Sequence, residues 1–104
     1  MASKEKLIAK LEAKEAVVGV IGLGYVGLPL SLAFSRAGNS VIGFDIDQKK
    51  ISSLKIGESY INHISAETLK TEITKGSFSP TSDFSLIAQV DAIIICVPTP
   101  LTKY

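Results

Sequence analysis

Ala16-Val17-Val18-Gly19-Val20-Ile21-Gly22-Leu23-Gly24-Tyr25-Val26-Gly27 is an apolar run that opens into a spaced set of glycines. A second apolar run, Val41-Ile42-Gly43-Phe44, ends in an acid at Asp45, eighteen positions beyond Gly27. Glycines at this spacing recur in many loops and alone decide little. Here a strand before them, a helix after them and an acid closing a second strand all agree, and together they spell the opening unit of a dinucleotide-binding fold.

Each glycine has its own task. Gly22 lets the chain leave the strand in a tight turn, Gly24 removes a Cβ where a pyrophosphate must approach, and Gly27 lets the helix pack close to the strand. The amides of Gly24, Tyr25 and Val26 are then orphan donors facing an anion. Asp45 is placed to accept hydrogen bonds from an adenosine ribose and to repel a 2′-phosphate, so the expected cofactor is NAD rather than NADP. An N-cap role for Asp45 is the competing reading, but Asp47 stands closer to the next helix. FAD is the other dinucleotide, and its ribose acid is more often Glu.

The remaining composition excludes more than it suggests. At 104 residues the chain is one compact unit, short for two mononucleotide halves. Lys and Arg total 11 against 10 acids, with no basic cluster interleaved with aromatics, so nucleic acid is not expected. Cys96 is the only cysteine and His63 the only histidine, which rules out an intrachain disulfide and argues against a metal site. Cys96 lies in the run Ala92 to Val97, read as a fully buried central strand in which the thiol acts as a small hydrophobe. The uncharged stretch from Ala16 to Ser35 resembles a membrane span, yet it contains four glycines and Pro29, which only the nucleotide reading explains. A soluble cytoplasmic protein is expected.

Along the chain, residues 1–14 read as an amphipathic helix with Leu7, Ile8 and Leu11 on one stripe, and 15–104 as the cofactor-binding part. Strands are expected over Ala16–Ile21, Val41–Asp45, about Phe78–Pro80 and Ala92–Val97. Helices are expected over Tyr25–Ala37, Gln48–Lys55, from Ser65 to Lys75, and briefly over Asp83–Gln89. The first helix should bury Val26, Leu30, Ala33, Phe34 and Ala37. Lys50 falls within reach of the adenosine end of a nucleotide, with a solvated lysine as the plainer reading. Pro98-Thr99-Pro100 turns the chain away at the carboxyl edge of the sheet, where Thr99 could donate to the cofactor.

Five ordered segments now make the chain resemble the UDP-glucose/GDP-mannose dehydrogenase family in its N-terminal NAD-binding domain. They are Val20 to Leu30, Gly43 to Asp47, Gly57 to Ile61, Thr81 to Phe84, and Cys96 to Leu101. The resemblance implies an α/β fold, a truncated Rossmann-like parallel sheet of about four strands in the order 3-2-1-4 with flanking helices. It implies cofactor contacts at Gly22, Gly24, Tyr25, Val26, Gly27, Asp45, Lys50 and Thr99. It also implies a two-step oxidation of a nucleotide-sugar C6 alcohol to a carboxylate, with two NAD reduced and a cysteine thioester on the way. Val97 to Tyr104 is most similar to the UDP-N-acetylglucosamine 6-dehydrogenase branch.

In that family the catalytic cysteine and its helpers lie downstream, so Cys96 is not the nucleophile. The 104 residues are expected to be an inactive fragment of a larger enzyme, self-associating through an uncovered sheet edge. A stand-alone NAD-sensing module and a hydroxy-acid dehydrogenase are the alternatives. The latter often carries an Arg near the second strand, where this chain has Asp45-Ile46-Asp47.

Overall fold

The run Val17–Ile21 is rich in branched residues and forms the strand β1, around which the rest is arranged. A computed structural model describes residues 16–61 and 64–96. After β1 come α1 (Gly27–Arg36), β2 (Ser40–Phe44), α2 (Gln48–Lys55), α3 (Ala66–Thr74) and β3 (Phe78–Thr81). A 3₁₀ segment (Phe84–Gln89) and β4 (Ala92–Ile95) complete the order. The strands form one parallel sheet, β3-β2-β1-β4, in the expected order.

Register sorts the side chains. Val18 pairs with Val41 and Ala92, and Val41 with Phe78, so these share one face. That face carries the core, where Leu28 and Leu32 of α1, Ile51 of α2 and Leu69 of α3 pack against the strands. Each such side chain, removed from water, contributes about 2 kcal/mol. On the opposite face the 3₁₀ segment brings the ring of Phe84 to 5.4 Å from that of Phe44.

Two expectations about burial are corrected. The helix α1 starts at Gly27, two residues later than expected, and buries Gly27, Leu28, Ser31, Leu32 and Ser35. Leu30 and Phe34 are half-buried, while Val26, Ala33 and Ala37 are exposed. Contact between Gly27 and the turn fixes the rotation of α1, and the buried serines have partners. Ser31 Oγ donates to the Gly27 carbonyl at 2.7 Å, and Ser35 Oγ donates to Glu72 Oε1 at 2.6 Å. Glu72, buried on α3, also pairs with Lys75 at 3.2 Å. Burial by itself raises the Glu72 pKa, but the Ser35 bond and the Lys75 and Arg36 charges outweigh it and hold it below the usual value.

The second correction concerns β4. It is not fully buried: Ile93 is 48% and Ile95 66% exposed, with Ala92 and Ile94 half-buried between them. Among the described residues β4 has one neighbour, β1, and stands at the sheet edge. An apolar run identifies a strand without telling which of its faces is covered. Asp91 closes the β1–β4 pair at its start, accepting from the Val17 amide at 2.9 Å and donating its own amide to the Val17 carbonyl at 2.7 Å. Among the described residues no helix is long and apolar enough to cross a membrane, and no group of His, Cys, Asp or Glu could hold a metal.

Candidate functional site

At the carboxyl end of β1 the chain turns sharply into α1. Gly22 takes a φ of 97°, in the left-handed region that favours glycine, and donates its amide to the Phe44 carbonyl at 2.7 Å. A Cβ on Gly27 would lie 1.6 Å from the Gly22 carbonyl oxygen, so the start of α1 is pressed onto the turn. A Cβ on Gly24 would meet nothing within 4 Å. Gly22 is therefore required by the backbone turn and Gly27 by packing, whereas a side chain on Gly24 would enter open space.

No side chain caps α1, and its first turn carries no acid. The amides of Gly24, Tyr25 and Val26 have no hydrogen-bond partner among the described residues. Tyr25 and Val26 are 78% and 66% exposed, so the turn that carries these amides lies at the surface. Free donors at the positive end of a helix dipole, over a glycine that leaves room, suit an anion such as a diphosphate.

Asp45 follows β2 directly and reaches across to this turn. Its Oδ2 accepts from the Leu23 amide at 2.9 Å and its Oδ1 from the Asp47 amide at 2.9 Å. These bonds fix the carboxylate beside the glycine turn and leave lone pairs on both oxygens, enough to take hydrogen bonds from a ribose diol. Asp47 is the cap of α2, accepting from the Lys49 amide at 3.0 Å, as the sequence reading assigned it.

Lys50, half-buried on the first turn of α2, places Nζ 5.7 Å from the centre of the Tyr60 ring. The Tyr60 hydroxyl donates to the Leu23 carbonyl. Burial first, then the negative charges of Asp45 and Asp47, push the Tyr60 pKa well above that of a free phenol. The hydroxyl therefore keeps its proton and remains a donor.

The fold thus gathers Gly22, Gly24, Tyr25, Val26, Gly27 and Asp45 at the carboxyl ends of the neighbouring strands β1 and β2, and joins Lys50 to them through Tyr60. Thr99 and His63 lie outside the described residues, as does the expected helix over 1–14. Cys96 is half-buried against the core, with its amide on the Ile21 carbonyl at 2.7 Å. Tyr60 received no role from the sequence reading. Its contact with Leu23 spans 37 positions, and no local pattern signals it.

Known proteins show the family to which this fold belongs. Residues 16–104 match the model of the UDP-glucose/GDP-mannose dehydrogenase family, NAD binding domain. The chain is 37% identical over 91 residues to a UDP-N-acetyl-D-glucosamine 6-dehydrogenase of Salmonella typhi, covering 86% of this chain and 20% of that protein. It is 38% identical over 101 residues to a UDP-N-acetyl-D-mannosamine dehydrogenase of Methanococcus aeolicus, covering 96% and 21%. Among solved structures, a GDP-mannose dehydrogenase ternary complex from Pseudomonas aeruginosa superposes with a TM-score of 0.76 at 35% identity, over 83% of this chain and 20% of that one. The chain spans about a fifth of the length of these relatives.

Proposed function

The chain belongs to the UDP-glucose/GDP-mannose dehydrogenase family, matching its NAD-binding domain, and from that premise we propose that the whole protein is an NAD-dependent UDP-sugar 6-dehydrogenase. Its substrate is a UDP-N-acetylhexosamine, UDP-N-acetylglucosamine in first place, oxidised at the C6 alcohol to the uronic acid. The mannosamine epimer is the second reading, supported by the 38% identity to the Methanococcus aeolicus enzyme.

In this reading Gly22, Gly24, Tyr25, Val26, Gly27, Asp45, Lys50 and Thr99 hold the cofactor. The observation that carries it is the meeting of free amides over Gly24 with a carboxylate fixed by the Leu23 amide. The amides take the diphosphate, and Asp45 takes the ribose hydroxyls of the adenosine half while opposing a 2′-phosphate. Lys50 adds a positive charge on the adenosine side. When bound, NAD supplies the two-electron acceptor, used twice for an alcohol taken to an acid.

Residues 15–104 serve as the first part of the cofactor domain. The 104 residues bind the cofactor and perform no oxidation themselves. The protein works as a homo-oligomer in the cytoplasm. The test is an assay of the whole protein with NAD and each UDP-N-acetylhexosamine in turn. Two NADH formed per UDP-N-acetylglucosamine support the reading; turnover of the mannosamine epimer alone selects the second, and no turnover of either rejects both.

A further inference from the structure

We propose that Tyr60 is a positioning residue for diphosphate binding, which by holding the Leu23 carbonyl aims the Gly24 amide at the ligand. The inference rests on the dinucleotide reading above and assigns a role to a side chain that reading does not use.

In a trans peptide the carbonyl and the following N–H point to opposite sides. Leu23 is gripped on both of its backbone groups, its amide by Asp45 Oδ2 at 2.9 Å and its carbonyl by the Tyr60 hydroxyl. With the Leu23 carbonyl turned toward Tyr60, the Gly24 N–H must point away from it. The Gly24 amide has no partner among the described residues, and a Cβ on Gly24 would meet no atom within 4 Å, so the residue that carries this amide is uncrowded.

Such a grip is needed because of the residue that follows. Glycine accepts positive and negative φ almost equally, so the Leu23–Gly24 peptide can rotate with little steric resistance. A flipped peptide would present a carbonyl oxygen to the diphosphate, replacing an attraction with a repulsion. Tyr60 opposes that flip from a firm base. The adjacent Ile61 is buried in the core, its amide accepted by Ser59 Oγ at 3.1 Å, and Ser59 Oγ donates to the Ile61 carbonyl at 2.9 Å. Lys50 lies over the ring and supports its orientation. The charges of Asp45 and Asp47 help keep the phenol protonated, so the carboxylate that serves the ribose also maintains the donor that orders the turn.

The test is Tyr60→Phe in the full chain, which keeps the ring beneath Lys50 and removes only the hydroxyl. NADH, ADP and adenosine are titrated into both proteins, with thermal unfolding followed alongside. Binding of NADH and ADP should weaken about tenfold, as expected for one misdirected charge-assisted hydrogen bond, while adenosine affinity and the folded state persist. Equal weakening of all three ligands would mean that Tyr60 merely supports the fold, and unchanged ADP binding would mean that it does not aim the amide. Either overturns the proposal while NADH binding by the unaltered chain stands. If the unaltered chain ignores NADH, the dinucleotide reading falls and this inference with it.

Discussion

The helices α1 and α3 lie against one another, yet they begin in opposite ways. Ser65 caps α3, accepting from the Thr68 amide at 3.1 Å, and Glu67 adds an acid to its first turn. Asp47 does the same service for α2. The helix α1 has Val26 in the cap position, no side-chain bond there and no acid in its first turn. A missing cap forgoes about 1 kcal/mol. The chain caps α2 and α3 and leaves open the helix end that follows the glycines. An uncapped N-terminus beside a fixed carboxylate suits the proposed ligand, which is anionic at one end and a diol at the other.

The contrast can be broken in graded ways. Gly27→Ala has the largest expected effect, because its methyl would overlap the Gly22 carbonyl and push α1 off the turn. A loss of about 3 kcal/mol in urea unfolding is expected, with NADH binding lost together with the fold. Asp45→Ala removes the acceptor for the Leu23 and Asp47 amides. It should cost about 2 kcal/mol and about a tenfold loss of NADH affinity, with the bias against NADPH relaxed. An unchanged preference would take Asp45 out of the ribose site.

Ser65→Ala probes a capped helix. Stability should fall by about 1 kcal/mol while NADH affinity stays unchanged, because that end has no ligand to lose. Val26→Asp sharpens the comparison from the other side by giving α1 the charge it lacks. The chain should gain roughly 0.5 kcal/mol without ligand and bind NADH more weakly, since the new carboxylate competes with the diphosphate for the same amides. A variant that gained stability without weakening NADH binding would show that the open end of α1 is not where the diphosphate sits.

The sequence reveals these helix ends more clearly than it reveals burial. Asp47, Ser65 and the glycines that end the helices are legible because caps and left-handed turns are local requirements: Gly38, Gly57 and Gly76 all have φ between 78° and 107°. The place of Asp45 follows from spacing in the same way, whereas the strand order comes from the family resemblance. The buried face of α1 was not legible, because the contact of Gly27 with Gly22 sets the rotation of the helix and its inner face includes two serines. Hydrophobic side chains alone pointed to the wrong stripe. The exposed alternation of β4 depends on what stands beside and over it, which its own residues do not encode. Tyr60 was missed for a related reason: its partner is a backbone carbonyl in a turn far along the chain.

The most direct measurement is a fluorescence titration of the chain with NADH beside NADPH at the same salt. Saturable binding of NADH is expected, with NADPH binding far more weakly against the Asp45 carboxylate. Equal binding of the two would contradict the assignment of Asp45, and binding of neither would contradict the claim that these free amides and this carboxylate form a dinucleotide site.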